Sequence, residues 1–222
     1  MANSYISEGD RIDWTNGTGS AVESGDVVQV GFKQLGVALV DIASTAVGTV
    51  AVDGVFELKK ASGAIVQGAP VWWDAVAENV INAPTLTAWF IGYAVEAEIS
   101  GATTVKVKLE EFANETPRVL TLAATGTQTV GAGAFMAGEL TLLGTATAAH
   151  TVTLPALAAV PVGSKLTVRK ISGGAYAITL DGNSSETIGG GATFASIDAD
   201  NDMASFQASA APTWQLVWSI IA

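Results

Sequence analysis

The sequence contains no cysteine and only one histidine, which removes much of the chemistry that side chains commonly provide. Without cysteine there is no disulfide, no thiolate nucleophile and no zinc-thiolate site. The single histidine, His150 in the stretch ATAAHTVTL, has no nucleophile, orienting carboxylate or metal co-ligand at a suitable spacing nearby. We therefore expect His150 to be an ordinary histidine at a strand edge or in a loop. We predict no catalytic residue and no enzyme.

Charged residues are scarce, and basic residues are the scarcest. Only 14% of the 222 residues are charged, with 21 acidic against 10 basic side chains and a net charge of −11. Affinity for nucleic acid depends mainly on basic groups that replace the counterions around phosphates. The charge balance therefore predicts that no nucleic acid is a partner.

Long apolar runs are also missing. The longest uncharged stretches, residues 119–138 and 140–164, are rich in Thr, Gly and Ala, and the second contains Pro155 and Pro161. A membrane-spanning helix needs about 20 predominantly apolar residues. The opening MANSYISEGDR has acidic residues and no apolar core of a signal peptide. We therefore expect a soluble protein with no membrane partner.

Short apolar runs alternate with polar residues between Gly, Asn, Asp and Pro, which is the pattern of strands with one buried face. The clearest case is TVKVKLEEF, where Val105, Val107 and Leu109 share one face. The pattern predicts strands at 27–30, 36–42, 48–59, 71–73, 89–97, 103–109, 119–122, 139–143, 151–154, 165–171, 177–180, 194–197, 203–208 and 214–221. The fold class predicted is all-β, with two sandwich-like or barrel-like domains in tandem, the second of them antiparallel.

A polar stretch near the middle, EEFANETPR, interrupts the strand pattern. The charge changes there, from a net −9 over residues 1–116 to a net −2 over residues 117–222. This predicts a first domain at 1–112, a linker at 113–117 and a second domain at 118–222. A long loop within one domain is the alternative.

Two groups of carboxylates have a spacing that is relevant to a metal or catalytic site. In DADND, Asp198, Asp200 and Asp202 have the spacing that opens a calcium loop, but Met203 and Ser209 occupy the places of the required Gly and Glu. On an extended segment the three carboxylates would share one solvated face, so we predict no metal and no cofactor, and an adventitious calcium site is the alternative. Asp181 with Glu186 would serve a glycosidase only if folding drew them together, which spacing does not establish.

The adjacent residues Trp72 and Trp73 lie in the predicted strand PVWWD. Neighbours on a strand face opposite sides, so one ring should enter the core and the other should meet solvent or a partner. We predict a subunit contact for this pair. A platform on which a sugar stacks is the alternative.

The order of motifs in the first half resembles that of the head decoration, or capsid cement, proteins of tailed bacteriophages. The resemblance covers residues 3–112. It rests on EGD, SGDVVQVG, GVALVDI, VDGVFELKKASGAIVQGAPVWWD, IGYAVEA and VKVKL, in that order. The second half is similar to a β-rich module of phage virion proteins, on HTVTLPALAAVPVGSKLTVRKISGGAYAITLDGNSSETIGGG and ASFQASAAPTWQLVW.

The resemblance implies a structural virion protein on the outer surface of an expanded capsid, with the major capsid protein as its partner. It further implies a homotrimer at threefold or quasi-threefold sites that stabilises the shell against DNA pressure, with the second domain projecting outward. We expect the N-terminal arm to lie on the capsid, with Tyr5 and Ile6 as apolar anchors and Arg11 as the charge partner. A frayed terminus is the alternative.

A different function for the second domain is adhesion to the host surface. Exposed Trp214 or Trp218, together with the Asp cluster, would bind a host glycan. This is the alternative function that the sequence leaves open.

Overall fold

The structure, a computed structural model, describes residues 7–32, 34–110, 117–172, 176–210 and 212–221. Within these ranges it contains nineteen β-strands and two short 3₁₀ helices. The chain divides into two compact units, Met1–Ala83 with Phe90–Ala113, and Pro84–Trp89 with Asn114–Ala222. The all-β prediction is confirmed, whereas the boundaries at 112 and 118 stay a prediction. No helix among the described residues is long and apolar enough to cross a membrane.

The first unit contains two antiparallel sheets. The first sheet has the order β1-β4-β3-β2, with β1 at Arg11–Thr15, β2 at Val27–Gly31, β3 at Gln34–Ala38 and β4 at Val47–Ala51. The second has the order β5-β9-β8-β6-β7, with β5 at Val55–Lys59, β6 at Pro70–Asp74, β7 at Asn79–Ile81, β8 at Trp89–Ala94 and β9 at Thr104–Leu109. A bridge between Lys60 and Val80 brings its two outer strands together, so this sheet nearly closes on itself.

A backbone motif occurs once in each sheet of the first unit. In each copy, the backbone N–H of each of two residues donates to the carbonyl of the other. The glycine three positions after the first of these residues donates its N–H to a carbonyl on the neighbouring strand. The exchanging pairs are Val22 with Ile42 and Ile65 with Glu98, and the glycine bonds are Gly25 to Ala38 and Gly68 to Ala94. The first unit is therefore built from two similar turn-and-strand motifs, a repeat that VESGD and IVQGA show only faintly in the sequence.

The core of the first unit follows the predicted alternation. Val105, Val107 and Leu109 of β9 are buried while Lys106 is exposed, so the interpretation of TVKVKLEEF is confirmed. In the first sheet the buried cluster consists of Val22, Val28, Ala38, Ile42 and Val50. Burial of an aliphatic side chain of this size contributes about 1.5–3 kcal/mol.

Asn16 is a buried polar residue of the first unit. Asn16 is fully buried, and its side-chain amide donates to the carbonyls of Ser20 at 2.7 Å and Ile42 at 2.9 Å. Its side-chain oxygen accepts from the Thr18 N–H at 3.0 Å. Asn16 thus ties together the segments before β2 and after β3.

The second unit has ten strands. They are β10 at Arg118–Thr121, β11 at Gly126–Thr129, β12 at Glu139–Thr145, β13 at His150–Thr153, β14 at Lys165–Ser172, β15 at Ile178–Asp181, β16 at Thr187–Ile188, β17 at Thr193–Ile197, β18 at Met203–Ala208 and β19 at Thr213–Ile220. The 3₁₀ helices are Ala132–Phe135 and Leu157–Ala159. One sheet has the order β10-β12-β14-β18-β19-β16, and the other β11-β13-β15-β17.

Six of these strands form parallel coils. The chain passes from one sheet to the other in each coil, so β10, β12 and β14 stack in parallel, as do β11, β13 and β15. Leu140 lies beside Leu166 and Val152 beside Leu180, and all four side chains are buried. The prediction of an antiparallel second domain is wrong for these strands and holds for β14-β18-β19 and β15-β17. Alternation marks a buried face in either arrangement and does not reveal strand direction.

Residues 84–89 are part of the second unit although the chain before and after them belongs to the first unit. The Gly131 N–H donates to the Leu86 carbonyl at 2.7 Å. The Arg118 guanidinium, itself buried, donates to the Ala88 carbonyl at 2.8 Å. This short segment therefore contributes to the packing of the second unit.

Candidate interaction surfaces

The residues predicted to touch a capsid lie at the start of the chain. Tyr5 and Ile6 lie outside the described residues. Arg11 is the first residue of β1 and is exposed, with its guanidinium 3.5 Å from the Asp10 carboxylate. An exposed ion pair of this kind contributes at most about 1 kcal/mol. Arg11 is therefore accessible for a charged partner.

The tryptophan pair is buried on both sides. Trp72 and Trp73 are 8% and 9% exposed, so the prediction that one ring faces solvent is wrong. Trp72 packs edge-on against Phe90, with ring centroids 6.3 Å apart. Trp73 lines a cavity together with residues of the first sheet, so both faces of β6 are covered. A subunit contact at this pair stays a prediction.

That cavity, of about 470 Å³, lies between the two sheets of the first unit. The residues that line it include Asp26, Glu57 and Glu78, along with Lys59. Two of the carboxylates already have donors within the fold, because Asp26 accepts from the Glu23 N–H at 2.8 Å and Glu57 accepts from a threonine hydroxyl at 2.8 Å. The carboxylates of Asp26 and Glu57 therefore already make hydrogen bonds that stabilise the fold.

His150 is buried at the start of β13, an inner strand of its sheet, and not at a strand edge or in a loop as predicted. Its register partners are Gly126 and Ile178. Burial lowers the pKa of the imidazole, and a weak interaction with the Thr125 backbone partly opposes this. Neither ring nitrogen has a hydrogen-bond partner among the described residues. The neutral ring therefore occupies a position in the core.

The aspartate cluster is a turn and not a shared solvated face. Asp202 is buried, and its carboxylate accepts from the N–H groups of Asp198 at 3.0 Å and Ala199 at 2.8 Å. The ammonium of the buried Lys170 donates to the Asp198 carbonyl, and Asp200 lies 4.0 Å from it. The prediction of one solvated face is wrong for Asp202, because its carboxylate satisfies amides of the turn. Across the described ranges, no three His, Asp or Glu residues gather as a metal site.

The carboxylate of Glu186 also has a role in the fold. One of its oxygens accepts from the Leu157 N–H at 2.8 Å. Asp181, the other half of the pair considered for glycoside chemistry, ends β15 and pairs with Thr193.

The two tryptophans proposed for adhesion differ in exposure. Trp214 is fully buried, and its ring lies 5.4 Å from that of Phe135, so its predicted exposure is wrong. Trp218 is 42% exposed on β19. Alternation in the sequence could not show which of the two rings is exposed. Both lie on β19, and only Trp218 lies on the part of the strand that extends past the core.

The comparisons with known proteins concern the first unit. This unit is a small β module of two antiparallel sheets, and Arg11 is exposed on the first of them. Residues 6–109 match the phage cement protein family, which confirms the decoration or cement resemblance of the N-terminal segment. No curated protein matches the chain. The family match ends before β10, so the resemblance of the second half stays a prediction.

Proposed function

We propose that the chain is a structural virion protein whose first unit binds the outer surface of an expanded phage capsid. The observation that carries this proposal is the match of residues 6–109 to phage cement proteins. The charge supports it, since a net charge of −11 opposes binding to packaged DNA and favours a place outside the shell. The partner is the major capsid protein.

The mechanism is repetition of a modest contact. Each copy bridges neighbouring capsid subunits, and many copies with fixed geometry add avidity that no single contact supplies. The shell then resists the pressure of packaged DNA. We further propose that the copies assemble as homotrimers at threefold or quasi-threefold sites, with Arg11 facing the capsid.

Cosedimentation with expanded heads that lack the protein tests this function. The full chain should sediment with the heads, and Arg11→Glu should weaken binding by about tenfold because it inverts a charge at the contact. Lys165→Glu is the matched control, since it makes the same charge change at an exposed residue of the second unit. Absence of the wild-type chain from the pellet would overturn the proposal, and equal binding by the two variants would remove Arg11 from the contact.

Particle stability tests the consequence of binding. Filled heads with the protein should retain their DNA to a higher temperature than heads without it. Equal release temperatures would contradict the stabilising role while leaving binding intact.

Adhesion to the host is a second candidate function, favoured by the exposure of Trp218. An exposed aromatic ring can stack on a sugar ring. Glycan arrays probed with the full chain and with Trp218→Ala test it: binding that the substitution abolishes would support adhesion, and no binding by the wild type would end it.

A further inference from the structure

The last strand, β19, is exposed on both faces over most of its length. After the buried Trp214, every residue from Gln215 to Ile220 is exposed. The large apolar residues among these six and the one that follows are 40–61% exposed, namely Leu216, Val217, Trp218, Ile220 and Ile221. A strand in a packed sheet normally buries alternate residues, so this segment extends past the core of the second unit.

One backbone edge of the same segment is open. On one side β19 pairs with β18 along its length, with a bulge at Val217. On the other side β16 pairs only with Thr213 and Trp214. Over the part of the chain that the structure describes, residues 215–220 therefore have a backbone partner on one side only.

The segment has none of the features that usually protect an open edge. Sheet edges in monomeric proteins commonly carry lysine, proline or other interruptions that prevent pairing with another strand. Residues 213–221, TWQLVWSII, contain no charge and no proline and are rich in residues of high β propensity. An edge of this composition favours pairing with a further strand.

We propose that β19 is a contact between copies of this chain, in which the open edges of two β19 strands pair antiparallel across a twofold axis that passes at Ser219. The contact would extend the six-stranded sheet from one copy into the next.

The absence of charge on β19 favours a second copy as the occupant, and the exposed area limits the strength of the contact. The chain carries a net charge of −11, so two copies repel each other except where uncharged surfaces meet, and β19 offers such a surface to itself. The five exposed apolar residues present roughly 500 Å² per copy, which is an upper bound on the apolar area that edge pairing buries, so the contact has the size of a weak interface below about 1,200 Å² in total.

Sedimentation of the free chain tests the contact without any capsid. The wild type should associate reversibly over about 1–100 µM, and Val217→Lys and Ile220→Lys should each raise the dissociation constant at least about tenfold, because each places a charge in an otherwise uncharged apolar contact. Val162→Lys is the matched control, since it places the same charge at an exposed valine elsewhere in the second unit. Circular dichroism should show that all variants fold.

A covalent trap gives a second readout, because the chain has no natural cysteine. Under mild oxidation Ser219→Cys should form a disulfide-linked dimer, whereas Ser185→Cys, also exposed in the second unit, should not. The proposal is overturned if the two cysteine variants crosslink equally, or if the lysine variants keep the wild-type mass at every concentration. It is also overturned if the wild type stays a monomer and the lysine variants lose only capsid or glycan binding.

The contact is separable from the proposed trimer. If the first unit also self-associates, the lysine variants should have the mass of a trimer. Otherwise they should have the mass of a monomer, 22.5 kDa. Failure of the β19 contact would leave the binding of the first unit to heads intact and remove only its cooperativity, so the two proposals can fail independently.

Discussion

At the residue scale, Asn16 shows how one buried amide holds two loops of the first unit. We expect Asn16→Ala to lower the free energy of unfolding by about 2–3 kcal/mol, because the carbonyls of Ser20 and Ile42 lose their buried donor. Urea denaturation measures the change. Asn82→Ala is the control, since Asn82 is exposed and makes one bond, to the Ala64 carbonyl at 3.1 Å, so its loss should stay below about 1 kcal/mol. Equal losses would contradict the role given to Asn16.

His150 makes the stability of the chain depend on pH. Burial lowers the pKa of its imidazole in the folded state, so between the folded and unfolded pKa values the unfolded chain binds more protons. Stability should therefore fall as pH drops below about 6.5, by at most about 1.4 kcal/mol per pH unit from this group.

The measurement is the free energy of unfolding at about pH 7.5 and 5.5 for the wild type and for His150→Leu. Carboxylates titrate in both proteins, so the difference between the two profiles reports His150. We expect the variant to have the flatter profile, and parallel profiles would rule out a buried neutral imidazole.

The residues of the candidate sites were only partly predictable. Alternation implied that Trp72 and Trp73 face opposite sides, but only the fold shows that both sides are covered. The continuous apolar run VWW was the available signal, because a strand buried on both faces has no polar alternation. Asn16 and Asp202 gave no such signal, since their partners are backbone groups that come close only on folding.

At the scale of elements, the absence of a side chain at Gly92 allows β8 and β9 to pair closely. Its φ is +149°, and a Cβ added there would lie 1.9 Å from the Lys108 carbonyl oxygen. We expect Gly92→Ala to separate the two strands and to destabilise the chain by at least about 2 kcal/mol.

Thermal unfolding followed by circular dichroism measures this loss. Gly101→Ala is the control, because a Cβ at Gly101 meets no atom within 4 Å and its φ is not positive. A melting temperature of Gly92→Ala equal to that of Gly101→Ala would show that the strands tolerate the added atom.

Strand positions were largely predictable, whereas strand partners were not. The alternation located β18 to the residue and β9 to within one, but it missed β1, β7, β11 and β16, which are short or polar. The parallel coils were missed for another reason. The spacing between stacked residues varies, since Arg118 pairs with Leu140 and Leu140 with Leu166, so no constant repeat appears in the sequence.

At the scale of the whole molecule, the two units suggest two separate kinds of contact. The first carries the match to phage cement proteins and an exposed Arg11. The second carries β19, whose apolar edge is uncharged and open. One contact would fix the chain on a shell and the other would join neighbouring copies, so the number of bound copies would rise cooperatively with concentration.

The most direct measurement is an electron cryomicroscopy image of expanded heads, assembled without the protein and then incubated with the full chain. We expect added density on the outside of the shell, at threefold and quasi-threefold positions, with the first unit against the capsid. Heads whose outer surface looks the same with and without a saturating amount of the chain would contradict it.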